Sequence, residues 1–219
     1  FTWSITNRLV LFTWQPSLIP MPENQFNRPT DWDDGGTSGA KFIQGVIVER
    51  GMEGFTTPTT HNKWSLRASC TGELVFDNVK VPKENILPGV SGLKGPLTCL
   101  NSARYGISWG ALGAAMDCYD TAVRYSKQRM QFGKPIGGFQ LQQKKLAEML
   151  TEITKAQLLV WRLGQLMDKG LATPAQISMA KRNNVEIAIN VAKEARQMLG
   201  GMGITGEYPV MRHMMNLES

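Results

Sequence analysis

Nine positions from Phe139 to Met167 recur at alternating steps of three and four: Phe139, Gln142, Leu146, Met149, Ile153, Ala156, Val160, Leu163 and Met167. All but Gln142 are apolar. A strand repeats every two residues and cannot use such a stripe. A helix of about eight turns can, and the mean spacing of 3.5 favours near-antiparallel packing in a bundle. The following segment spells out its own start. Thr173 suits an N-cap, Pro174 the first helical position and Gln176 the third, a capping box. Its stripe runs Ile177, Ala180, Ile187, Val191, Ala195, Met198 and stops at Gly200-Gly201. A further helical segment begins near Leu97, so three long helices fill the second half.

Within the first of them, Gly106-Ile107-Ser108-Trp109-Gly110 is a literal G-x-S-x-G. A nucleophile elbow needs a strand before the serine. Leu97 to Tyr105 holds one β-branched residue, Thr98, and Ala103, Ala111, Ala114 and Ala115 favour helix. The segment therefore reads as helix and the serine-hydrolase alternative is set aside. Gly106, Gly110 and Gly113 share one helical face. Each costs about 1 kcal/mol against alanine in a helix interior, which close approach of a neighbouring helix or a flat ligand would offset.

The first half has a different texture. Residues 1–40 show no clear period and read as irregular, with Pro22 to Ala40 loop-like. Phe42 to Glu49 (FIQGVIVE) reads as a strand. Leu74 and Phe76 alternate with polar neighbours, and after Asp77-Asn78 the pattern resumes at Val79 and Val81. The expected class is α+β: an antiparallel β-domain over residues 1–90, then a helical bundle over 91–219. The chain starts at Phe1 and stops at Leu217-Glu218-Ser219, which reads as a fragment.

Charge and cysteine count narrow the functions. The 219 residues carry a net charge of +6 without a basic run interleaved with aromatics, so nucleic acid is not an expected partner. Three scattered cysteines and two histidines fit neither a disulfide framework nor a zinc site. The apolar stretch from Leu9 is broken by Pro16 and Pro20, and no membrane span is expected. Two places suggest a ligand. Lys127 to Gln140 (KQRMQFGKPIGGFQ) sets Lys127, Arg129 and Lys134 beside a new helix N-terminus, which suits an anion or a plain solvated loop. Gln197 to Gly203 (QMLGGMG) lacks a Rossmann spacing and also reads as a helix cap.

Taken together, certain segments resemble the acyl-CoA dehydrogenase flavoprotein family. They are Arg129-Met130-Gln131-Phe132-Gly133 with Gln140, Leu199-Gly200-Gly201-Met202-Gly203-Ile204, and Glu207-Tyr208-Pro209. Ser65 to Ser69, Cys99 to Gly106, Gln143 to Ile153 and Arg212 to Glu218 resemble most its glutaryl-CoA-oxidising branch. The resemblance implies a middle β-domain and a C-terminal helical bundle, with an N-terminal helical domain and a last helix not represented. It implies FAD as cofactor, an acyl-CoA thioester such as glutaryl-CoA as substrate, electron-transfer flavoprotein as acceptor, and a homotetramer. It places the protein in the mitochondrial matrix or the bacterial cytoplasm. Arg129 and Gln140 match positions that hold FAD, the arginine facing the phosphates of a neighbouring subunit's cofactor. Gln197, Met198, Leu199, Gly200 and Gly201 match the segment against the adenylate. Leu97, Thr98, Cys99, Leu100, Asn101, Ser102, Ala103 and Arg104 match a stretch lining the acyl-CoA site. The implied chemistry removes the α-proton with a carboxylate base while the β-hydride goes to flavin; for glutaryl-CoA, decarboxylation to crotonyl-CoA follows. Other short- or branched-chain substrates, or a non-catalytic CoA-binding or oligomerising module, are the alternatives.

The pattern departs in three places. The family's glutamate base is expected beyond Ser219, so no catalytic residue is assigned, Glu218 reads as a surface residue, and turnover by this chain alone is not expected. The N-terminal helical part is not represented. The family's Trp-Ile-Thr-Asn appears as Trp3-Ser4-Ile5-Thr6-Asn7. The resemblance implies that Trp3, Ile5 and Thr6 border the flavin, and an inserted Ser4 would reverse side-chain facing in a strand there.

Overall fold

Thr173 opens its helix as its neighbours require. Its Oγ1 accepts from the Gln176 N–H (3.3 Å) and its own N–H donates to Gln176 Oε1 (2.9 Å). The structure is a computed structural model, and residues 2–5, 8–13, 44–90 and 92–219 are described. They divide into two compact units: residues 1–62 with 69–100, and 63–68 with 101–219.

The first unit holds a three-stranded antiparallel sheet, β1 (Thr2–Ile5), β2 (Arg8–Thr13) and β3 (Gln44–Glu49), paired in that order. Trp3 pairs with Val10 and Val10 with Ile47. The expectation that residues 1–40 are irregular is thus corrected for β1 and β2. Leu9 to Phe12 is an unbroken apolar run, and such a run has no period-two signal to read. The loop expected over Pro22 to Ala40 lies outside the described residues, as do Phe42 and Ile43 of the expected strand.

On β3, Val46 and Val48 are buried and meet Val79 in a small core. The other edge of β3 is closed by the Leu87 N–H donating to the Gly45 carbonyl (2.8 Å) and Asn85 Nδ2 to that of Ile47 (2.8 Å). The strand expected over Leu74 to Val81 shrinks to β5 (Val75–Phe76), paired with β4 (Phe55–Thr56). Asn78 takes a left-handed turn (φ 49°), which ends the ladder and drops Val79 into the core outside any strand. The Asp77 carbonyl would lie 1.9 Å from a Cβ on Gly54, so only glycine fits there.

The second half is helical, as its periods predict: α1 (Lys94–Gln128), α2 (Gln140–Asp168) and α3 (Pro174–Met198). A two-stranded hairpin, β6 (Met130–Gln131) and β7 (Lys134–Pro135), joins α1 to α2. The α2 stripe buries Met149, Ile153, Ala156, Val160 and Leu163. The first four pack with Ala111, Leu112, Ala115, Cys118 and Ala122 of α1 and Ala188, Val191, Ala192 and Ala195 of α3, while Leu163 packs with Ile177 and Ala180 of α3. Fully burying one aliphatic side chain such as Ile153 contributes about 1.5–3 kcal/mol. The helix stop at Gly200 is observed: α3 ends at Met198 and Gly200 turns left-handed (φ 58°). A short fourth helix, α4 (Val210–Leu217), follows; its apolar Val210, Met214 and Leu217 stand at helical spacing in the sequence. No helix among the described residues is long and apolar enough to cross a membrane.

Candidate functional site

The turn between β6 and β7 is two residues long, Phe132 (φ 53°) and Gly133 (φ 77°), both left-handed as a type I′ hairpin requires. Asn-Gly is the usual pair there. A left-handed phenylalanine costs about 1–2 kcal/mol, and this one is also 90% exposed. Its ring meets the Phe139 ring edge-on, centroids 6.2 Å apart. Phe132 thus presents its ring to solvent at a backbone cost. In the sequence Phe132 stands inside the Arg129 to Gly133 motif with no role of its own, and a bulky residue before glycine in a short turn is the one signal it carries.

Arg129 sits at the base of that hairpin. Its N–H donates to the Tyr125 carbonyl (2.9 Å) and its carbonyl accepts from the Ile136 N–H (2.9 Å). The backbone is thereby fixed from both sides while the side chain is exposed. Among the described residues its guanidinium pairs with no carboxylate. Lys134, by contrast, folds back, its Nζ 4.3 Å from the centre of the Phe139 ring. Gln140 begins α2 and is exposed; Phe139, the N-cap, gives that helix no side-chain cap. Uncapped N–H groups and an unpaired guanidinium are what an anion seeks.

Two contacts bring α3's end to the same place, and a third close approach seats the hairpin's far side on α1. Lys145 Nζ on α2 pairs with Glu194 Oε2 on α3 at 2.7 Å. Tyr125 on α1 meets Tyr208 edge-on at 5.5 Å. A Cβ on Gly137 would lie 3.1 Å from the Ser126 carbonyl. Arg129, Gln140 and the segment Gln197 to Gly201 therefore gather at one end of the bundle. Met198 and Leu199 are buried in the core and can offer a ligand only their backbone. Gln197, Gly200 and Gly201 are exposed, and a Cβ on either glycine would meet nothing within 4 Å. That leaves the backbone open to close approach.

The segment Leu97 to Arg104 stands at the other end of α1. Leu97, Thr98, Cys99 and Ser102 are exposed; Leu100, Asn101, Ala103 and Arg104 are half-buried. Thr98 Oγ1 donates to the Lys94 carbonyl (2.7 Å) and Arg104 Nη1 reaches Asn101 Oδ1 (3.4 Å). Arg104 and Gln128 are about 36 Å apart along the helix at 1.5 Å per residue. One chain therefore does not bring Arg104 and Arg129 to a common atom.

Ser108 is no nucleophile. It is fully buried, and its Oγ donates to the Arg104 carbonyl one turn back (2.8 Å). The glycine face is real but open: a Cβ on Gly106, Gly110 or Gly113 would meet nothing within 4 Å. No neighbouring helix occupies it among the described residues. Glu218 pairs with Lys193 Nζ (3.1 Å) and is exposed, a surface residue as expected. Trp3 and Ile5 lie on β1, opposite Val10 and Arg8. Thr6 is outside the described residues.

The family model described as "Acyl-CoA dehydrogenase, C-terminal domain" matches residues 91–219. A short-chain-specific acyl-CoA dehydrogenase of Megasphaera elsdenii is 40% identical over 179 residues, covering 81% of this chain and 47% of that protein. A solved glutaryl-CoA dehydrogenase of Mycobacterium smegmatis superposes with a TM-score of 0.80 at 53% identity, over 81% of this chain and 46% of that one. Another from the same organism, in complex with FADH2, gives 0.80 at 49% identity with the same coverage. This chain spans about half the length of the relatives it matches.

Proposed function

Because the chain belongs to the acyl-CoA dehydrogenase family, we propose that it forms part of an FAD-dependent enzyme that introduces a double bond between the α and β carbons of an acyl-CoA thioester. The observation that carries this reading is the bundle end at Arg129: an exposed guanidinium that pairs with no carboxylate among the described residues, at the same end as a helix N-terminus without a side-chain cap and two glycines open to backbone approach. These groups fit a pyrophosphate. Arg129 would meet the phosphates in charge-assisted bonds and Gln140 would hold an adjoining polar edge with its amide. Gly200 and Gly201 would let the backbone lie against the nucleotide, and the Phe132 ring would cover a flat face. FAD, when bound, supplies the acceptor for the β-hydride.

The Leu97 to Arg104 stretch would line the acyl-CoA site. Its 36 Å distance from the Arg129 end, about that much by helix rise, supports a homo-oligomer in which Arg129 of one copy serves the cofactor of another. The family tetramer has that character. Glutaryl-CoA is the substrate favoured by the sequence segments singled out above and by the identity to the Mycobacterium smegmatis proteins. Its oxidation would be followed by loss of CO2 to give crotonyl-CoA, with electrons leaving to electron-transfer flavoprotein.

Replacing Arg129 tests the cofactor assignment. Arg129→Ala should weaken FAD binding about 10- to 100-fold, the worth of one or two charge-assisted bonds, while thermal stability without flavin is unchanged. Unaltered FAD affinity would refute the assignment. Dye-coupled turnover of glutaryl-CoA against butyryl-CoA tests the substrate, and a preference for butyryl-CoA would move the protein to the short-chain enzymes.

A further inference from the structure

The segment 63–68 belongs by its contacts to the helical unit, although residues 1–62 and 69–100 on either side belong to the other. At its base the chain forms a narrow ladder: the Thr60 N–H donates to the Thr71 carbonyl (2.8 Å) and the Glu73 N–H to that of Pro58 (2.9 Å). At its tip, Leu66 turns left-handed (φ 47°), a conformation that a branched side chain resists. Polar contacts hold it there, and three of them define the tip. The Leu66 N–H donates to Asn216 Oδ1 on α4 (2.7 Å), Lys63 Nζ donates to the Leu66 carbonyl (2.9 Å), and the Ser65 hydroxyl meets that of Ser219. Apolar burial contributes little, since Trp64 is 86% exposed and Leu66 44%.

The geometry points to a strap, Lys63 to Ala68, poised between a docked and a released position, with Asn216 as the residue that decides between them. A few solvent-exposed hydrogen bonds are each worth little net. The left-handed leucine works against them, so the docked position is favoured by a modest margin, enough to slow exchange at Leu66 but far below the stability of the bundle. The receiving surface does not share that margin. Helix α4 is held independently, by His213 Nε2 against Asp117 Oδ2 (2.7 Å) and by buried Val210. Release of the strap therefore leaves the bundle intact. Local opening of this kind draws on the low-stability end of a fold. This inference is independent of the flavin reading, because none of its residues belongs to the Arg129 end.

Hydrogen exchange at the Leu66 amide, read by NMR or by mass spectrometry of short peptides on the whole chain, measures docking directly. Asn216→Ala should speed exchange at Leu66 by about tenfold, the loss of one hydrogen bond to a polar partner, with core amides such as those of Val160 and Val191 unchanged. Asn216→Asp, which keeps an acceptor oxygen, should stay within about threefold of the parent. Leu66→Asn, which tolerates the left-handed region, should slow exchange. The strap is refuted if Asn216→Ala leaves Leu66 within about twofold of the parent, or if the core amides accelerate with it. An unchanged or faster rate in Leu66→Asn also refutes it, and needs no damage to α4.

Discussion

Asn184 Nδ2 on α3 donates to the backbone carbonyl of Ser108 on α1 across 3.2 Å, and both residues are buried. The Asn184 Oδ1 in turn accepts from Asn183 Nδ2 (3.1 Å). A buried amide has no water to fall back on. Its bond therefore fixes the register of α3 against α1 among alanines too small to fix it by shape. Asn184→Ala should destabilise the fold by about 1–3 kcal/mol, seen as a lower midpoint in urea. Ser108→Ala should cost under about 1 kcal/mol, because its hydroxyl bonds only within its own helix. A fluorophosphonate probe should leave Ser108 unlabelled in the folded chain.

Two glycines predict opposite outcomes. A Cβ at Gly203 would lie 2.4 Å from the Arg196 carbonyl, an atom of backbone that cannot swing away. Gly203→Ala should destabilise by about 1–3 kcal/mol. At Gly113, mid-helix in α1, a Cβ meets nothing. Gly113→Ala should stabilise the isolated chain by up to about 1 kcal/mol, the helix-propensity difference. If the open glycine face is kept for a ligand or a partner helix, the same variant should bind or assemble less well. Thermal melts with and without acyl-CoA and FAD separate the two effects.

Cys118 is buried in the C-terminal half of α1, and burial, helped by the Asp117 carboxylate beside it, pushes its thiol up to about 12 from 9.0. The folded chain thus keeps this thiol neutral while the unfolded chain ionises it above pH 9. Its contribution to stability is fully present below pH 9 and is lost as pH rises from 9 toward 12. The urea midpoint of the parent should fall more steeply above pH 9 than that of Cys118→Ala. Iodoacetamide at pH 8 should modify the exposed Cys70 and Cys99 and spare Cys118 until the protein unfolds.

The helical half was legible in the sequence because each long helix writes its burial as a period. The Phe139 to Met167 stripe, the Thr173 capping box and the Gly200 stop carry independent signals that agree. The β half was harder to read. β2 is apolar without alternation, and β5 is cut to two residues by a left-handed Asn78 that no period announces. The gathering of Arg129, Gln140 and Gly200 at one bundle end followed once α2 and α3 were known to run antiparallel. The burial of Met198 followed from its place in the α3 stripe, but that of Leu199 did not, since it lies past the last periodic position. Phe132 was legible only as a bulky residue before glycine; that it is left-handed and exposed shows only in the fold.

The central claim is that the Arg129 end binds flavin for another copy. Size-exclusion chromatography with light scattering, following flavin absorbance after mixing with FAD, tests it most directly. The account predicts flavin only in species larger than one chain, and its loss from those species in Arg129→Ala. Stoichiometric flavin on a monomer, or undiminished flavin in the Arg129→Ala oligomer, would contradict it.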